Sequence, residues 1–150
     1  MRDLAQYLLV NGPNLNLLGE REPKQYGRDT LASIESRLTV IAAESGHELD
    51  TFQANSEGAL IDRLQVAGRD GCHGVVLNPG GYTHTSVALR DALTATQLRF
   101  VEVHLSNISA REPFRQHSYF SDVALGTITG FGAHGYELAL QALMRADALA

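Results

Sequence analysis

The chain has 150 residues, enough for one domain whose core buries roughly 70% of the surface an unfolded chain exposes. Hydrophobic residues make up 44% and charged residues 19%, which excludes intrinsic disorder, and a net charge of −5 argues against nucleic acid as a partner. A single cysteine, Cys72, excludes an internal disulfide and points to a reducing compartment. No apolar run approaches the ~20 residues of a membrane helix. Met1 to Gln6 does not read as a secretion signal, so the expected location is cytoplasmic, away from membranes.

In chain order, Tyr7-Leu8-Leu9-Val10 predicts a buried strand that Asn11-Gly12-Pro13 stops. Leu31, Ile34, Leu38 and Ile41 form a helical stripe that ends by Gly46, and Leu49 to Ala54 predicts a second strand. Ser56 is placed to cap a helix with Leu60, Ile61 and Leu64 turned inward, ending near Gly71. Val75-Val76-Leu77 predicts the third strand, halted at Asn78-Pro79-Gly80-Gly81, and a helix follows from about Thr85 to Thr96. Phe100 to Val103 and Thr127 to Thr129 predict strands four and five, before a last helix from about Ala133 to Ala148. Almost continuously apolar strands alternating with helices define a parallel sheet covered on both faces. The expected fold is therefore α/β, a doubly wound five-stranded parallel sheet with helices on both faces, flavodoxin-like by strand count, and that analogy supplies the expected order 2-1-3-4-5. Residues 1–150 are read as one catalytic domain.

Two connections are long, one from Asn11 to about Thr30 and one from His104 to about Phe120. In this fold the loops after strands one, three and four meet at a crevice beside the carboxyl ends of the strands. They bring Asn14, Arg21 and Tyr26 together with Asn78 and His84, and with His104, Arg111 and Arg115. Converging arginines fit a small anionic ligand, although any one loop arginine is ordinarily solvated. Tyr26 is a poor base at its usual pKa near 10. Arg21 in the same loop would favour the phenolate, at roughly 2.7 kcal/mol for a lowering of about two. The other reading packs Tyr26 on the loop's own apolar side chains. Glu102 and His104 are two apart on a strand and share a face, which would orient the ring as a general acid, unless His104 merely caps the strand end. His84, before Thr85-Ser86, suits either ligand binding or helix capping.

Of 12 basic residues only Lys24 is lysine, and its polar setting offers no desolvated amine for imine chemistry. Gly130-Phe131-Gly132-Ala133-His134-Gly135 matches a dinucleotide-binding pattern, but 15 residues remain after it, too few for the next strand and its ribose-binding acid. It is read as close helix–strand packing. The six histidines show no metal-ligand spacing.

Three motifs carry a family likeness. Asn11-Gly12-Pro13-Asn14-Leu15-Asn16-Leu17-Leu18-Gly19 with Arg21-Glu22-Pro23 and Tyr26-Gly27 is the first, and Asn78 to Ser86 with Arg90-Asp91-Ala92-Leu93 the second. Glu102 to Ile108 with Ala110-Arg111-Glu112 and Phe114-Arg115 is the third. Together they resemble the type II 3-dehydroquinate dehydratases over essentially the whole chain; Gly80-Gly81 and Gln116 depart slightly from the family pattern. The resemblance implies anti elimination of water from 3-dehydroquinate through an enolate, giving 3-dehydroshikimate without metal, cofactor or imine. It implies that Tyr26 is the base, Arg21 lowers its pKa, Asn14 holds a water on the enolate oxygen, and His104, oriented by Glu102, protonates the leaving hydroxyl. Asn78, His84, Leu105, Ser106 and Arg115 would bind substrate, and Arg111 would balance charge. The loop carrying Arg21 and Tyr26 would be a lid. A dodecamer of four trimers is implied, with Asp91 reaching a neighbouring subunit's site. The rival reading is a flavodoxin-like module that binds a flavin or nucleotide without turnover. It needs a phosphate-cradling loop after strand one, where this chain has Asn-Gly-Pro-Asn.

Overall fold

The computed structural model describes residues 4–20 and 29–149. Its elements run β1 (Gln6–Asn11), α1 (Leu31–Glu44), β2 (Glu48–Gln53), α2 (Glu57–Arg69), β3 (Gly74–Asn78), α3 (Val87–Thr96), β4 (Phe100–His104), β5 (Gly126–Thr129) and α4 (His134–Leu149). The strands form one parallel sheet of order β2-β1-β3-β4-β5, as the sequence predicts.

Alternation along the strands divides the core. Tyr7, Leu9, Val76, Val101 and Val103 face α1 and α4, meeting Ile34, Leu38, Ile41, Tyr136 and Leu140. Leu8, Val10, Val75, Leu77 and Phe100 face α2 and α3, meeting Leu60, Leu64, Leu89 and Leu93. Both sides of β1, β3 and β4 are therefore covered, which is why these strands are apolar without alternation. The edge strand β2 keeps exposed residues at Glu48, Asp50 and Thr51. Its ladder runs from Glu48 to Gln53, one residue earlier than the apolar pattern places it.

Helix ends coincide with their capping residues. Thr30 and Ser33 form a reciprocal capping box on α1, and the Ser56 and Ser86 hydroxyls accept the Ala59 and Leu89 amides. Helix α3 begins at Val87, two residues later than the sequence predicts, because a 3-10 turn over Gly80–His84 comes first and Ser86 then caps the α-helix. The expected close packing at Gly135 is present: an added Cβ would sit 3.4 Å from Ile128 Cγ2 and 3.7 Å from Val103 Cγ1.

The turn after β1 lies directly against the turn after β3. The Gly12 amide donates to the Asn78 carbonyl at 2.8 Å, and a Cβ at Gly12 would stand 2.3 Å from the Pro79 carbonyl oxygen. Only glycine permits that approach, and it fixes the geometry of the switch point between β1 and β3.

Candidate active site

A cavity of about 170 Å³ opens at the carboxyl ends of β1, β3 and β4. Asn14, Asn78, His84, His104, Leu105, Ser106, Arg111 and Arg115 all line it, with Pro13, Gly80 and Ile108 among the remaining walls. Eight of the predicted site residues thus meet in one place. Glu102 lies beneath them, fully buried and reaching the cavity only through His104. Asp91 does not join them; it is exposed on α3, and the cavity of this chain is lined without it. Arg21 and Tyr26 lie outside the described residues.

Each wall has a local cause. Asn14 adopts a left-handed backbone (φ 69°), which asparagine tolerates better than other non-glycine residues, and its amide is held by Asn55 Oδ1 at 3.0 Å. Asn78 ends β3 with its side chain held at both ends, one amide N–H still left to donate. Its Oδ1 accepts the Gly80 amide at 3.1 Å, and its Nδ2 donates to the Tyr136 hydroxyl at 2.9 Å. Tyr136 in turn donates to Asn11 Oδ1 at 2.6 Å. Asn11 and Asn78 are register partners across β1 and β3, so one buried phenol from α4 ties the two strand ends together. Burial drives the Tyr136 hydroxyl far above its ordinary pKa, only partly opposed by the Asn78 bond, and it stays a neutral hydrogen-bonding group.

The two histidines are set up differently. His84 Nδ1 lies 2.8 Å from the His117 carbonyl oxygen, which can only accept, so Nδ1 carries the proton and Nε2 presents a lone pair. Burial lowers the His84 pKa; the carbonyl bond opposes this, while His104 and Arg115 add to it. His84 is therefore a neutral acceptor, suited to a ligand hydroxyl. His104 is buried, and its Nε2 lies 2.5 Å from Glu102 Oε2. Burial alone would raise the Glu102 carboxyl. The hydrogen bond and charge of His104, with bonds from Ser121 (2.7 Å) and Ser118 (2.8 Å), override it and hold the carboxyl below its ordinary value. An ionised carboxylate only accepts, so His104 Nε2 donates to it and Nδ1 is the ring nitrogen left for chemistry.

Positive charge comes from the turns after β4. Arg115 is paired with Glu112 at 2.7 Å and stacks on Phe114, 4.9 Å from the ring centroid. Arg111 Nη1 reaches Ser106 Oγ at 3.5 Å. No carboxylate stands among the described residues lining the cavity, which fits it for an anion bearing hydroxyl groups.

Sequence reasoning missed the serines of Glu102 and the Asn11–Tyr136 pair. Asn11 and Tyr136 each stand next to a glycine in a turn motif, but their contact spans 125 positions. Ser118 and Ser121 lie in a polar stretch with no periodicity to mark them.

The fold and cavity define an α/β protein with a cationic, hydroxyl-accepting crevice at the switch point of a flavodoxin-like sheet. The family described as Dehydroquinase class II matches residues 5–144, and the chain belongs to that family. A 3-dehydroquinate dehydratase of Methylococcus capsulatus is 59% identical over 142 residues, covering 95% of this chain and 96% of the relative. One of Chromobacterium violaceum is 60% identical over 143 residues, covering 95% and 92%. The crystal structure of a type II dehydroquinase from Butyrivibrio crossotus superposes with a TM-score of 0.92 at 40% identity, covering 94% of this chain and 98% of its own.

Proposed function

We propose that this chain acts as one catalytic domain that dehydrates 3-dehydroquinate reversibly to 3-dehydroshikimate, by anti elimination through an enolate. Family membership names the reaction, and the buried Glu102–His104 pair at the cavity floor is the observation that supports how it proceeds.

Tyr26, as a phenolate beside Arg21, takes the proton from C2. The electron pair passes into the C3 carbonyl, whose oxygen becomes an enolate steadied by a water on Asn14. The enolate then expels the C1 hydroxyl, which leaves as water with a proton from His104 Nδ1. One proton is gained by the base and one lost by the acid, so the step balances once the two groups re-equilibrate with solvent. His104 can deliver because Glu102 holds its Nε2–H and so points Nδ1 at the cavity. His84 and Asn78 bind hydroxyls, the Leu105–Ser106 segment and Arg115 bind hydroxyl and carboxylate groups, and Arg111 balances charge. The loop bearing Arg21 and Tyr26 closes as a lid and excludes water. No amine takes part: Lys24, the one lysine, is not needed by any step.

The assembly belongs to the same proposal. It is a cytoplasmic dodecamer of four trimers, in which Asp91, exposed in one chain, reaches a neighbour's cavity. No helix among the described residues is long and apolar enough to cross a membrane. Light scattering on the eluting protein is expected to return the dodecamer mass, and a monomer would overturn the assembly. The reaction is tested by mixing protein with 3-dehydroquinate and following the ultraviolet absorbance of the conjugated enone. A parallel sample is treated with borohydride in the presence of the ketone. Equal growth in both samples is expected. Loss after borohydride would mean an imine route, and no signal in either would return the reading to a flavin- or nucleotide-binding module.

A further inference from the structure

Glu102 is the one fully buried carboxylate among the described residues, and it is met by three donors. Its Oε2 accepts from His104 Nε2 and from Ser118 Oγ, and its Oε1 accepts from Ser121 Oγ. The Ser118 hydroxyl is aimed by the chain. Ser118 Oγ accepts the Phe120 amide at 3.0 Å, which turns its own proton toward Glu102, and Phe120 is wholly buried in the core. The Tyr119 amide donates to the Thr83 carbonyl at 2.9 Å, fastening this segment to the turn that carries His84. A carboxylate without water needs such donors to remain ionised.

We propose that Ser118 and Ser121 are positioning residues for the dehydration, a two-hydroxyl clamp that keeps Glu102 ionised and fixed so that His104 holds its ring and releases its proton. The inference rests on the proposed role of His104 as the acid. Without the clamp the Glu102–His104 pair binds its proton more tightly and becomes a weaker acid. The other charges lining the cavity beside His104 are the cations Arg115 and Arg111, while His84 there is neutral. On the outer side, Asp122 of the clamp segment is paired with Arg90 of α3. Removing two neutral hydroxyls therefore leaves the surrounding charge unchanged, and the change falls on the pair itself.

The test is the double variant Ser118→Ala/Ser121→Ala, with Ser121→Thr as the conservative control. In the double variant kcat is expected to fall about 10- to 100-fold, the scale of lost hydrogen bonds to a charged group. KM should stay within about twofold. The alkaline limb of the kcat–pH profile, which reports the acid, should move to higher pH while the acid limb, set by Tyr26, stays in place, and Ser121→Thr should keep the parent profile. A uniform loss of kcat with unmoved midpoints would make the serines merely structural and overturn the proposal, as would kcat within twofold of the parent. Should the double variant fail to fold, Ser121→Ala alone carries the test, because Ser121 is at the surface and its removal opens no core cavity. A readout independent of turnover is the nuclear resonance of the His104 Nε2 proton. Its loss or marked shift in the variant supports the clamp even if the chain proves inactive on 3-dehydroquinate, and an unchanged signal refutes it.

Discussion

Replacing His104 by glutamine is expected to lower kcat about 10²- to 10⁴-fold, the usual contribution of a positioned general acid. KM should change only a few-fold, because the binding groups around the cavity are untouched. Glutamine separates chemistry from architecture: its amide can still donate to Glu102 but cannot release a proton. His104→Ala should lose as much kcat and also melt earlier, since the buried carboxylate keeps only the two serine donors. The pH dependence has a definite sign. Glu102 is depressed in the folded state, so its contribution to stability is present above the unfolded value, about 4.3, and is lost as pH falls through the lower folded value. The parent's melting temperature should therefore fall more steeply with acidification below about pH 4 than that of His104→Ala. A glutamine variant with kcat within threefold of the parent would remove His104 from the chemistry.

Tyr26→Phe is expected to be at least as damaging, because it removes the proton acceptor and nothing else in the proposed site replaces it. Of the other groups brought together, the arginines and asparagines are not bases, His84 is engaged in binding a hydroxyl and has its proton affinity lowered by burial, and Glu102 is sealed behind His104. A fall of about 10²- to 10⁴-fold in kcat with little change in KM is the expected result. Arg21→Ala should fall by a similar amount yet recover partly as pH rises. Its role is to lower the phenol's pKa, and alkali can supply the phenolate instead. Near-parental turnover by Tyr26→Phe would end the phenolate assignment, and an Arg21→Ala deficit independent of pH would leave Arg21 a binding role only.

How much of the fold and site is legible in the sequence depends on the reach of each interaction. Strands buried on both faces announce themselves as apolar runs, and the stripe Leu31, Ile34, Leu38, Ile41 is set by helical spacing alone. The topology then brings the loops after β1, β3 and β4 together without any knowledge of side chains. The Glu102–His104 pair is legible because a strand repeats every two residues. Asp91 sits on an exposed helix face, away from the cavity of its own chain, so no packing around it marks it. The serine clamp and the Tyr136 bridge are not legible, because they join positions 16, 19, 58 and 125 apart through packing that no local pattern encodes.

The phenol that joins Asn11 to Asn78 has a consequence for how the molecule breathes. The cavity's outer wall is made of short 3-10 turns at Ile108–Ala110 and Pro113–Arg115, outside the sheet and its covering helices, and is expected to open and reclose alone. Its floor cannot. Parting β1 from β3 at their carboxyl ends means withdrawing Tyr136 and, with it, the first turn of α4 from the core. The amides there should exchange with solvent only through global unfolding, while those of the wall exchange by local opening. Exchange that separates the two in this way would mean a compliant rim over a rigid base, with ligands entering and leaving without disturbing the geometry on which the chemistry depends.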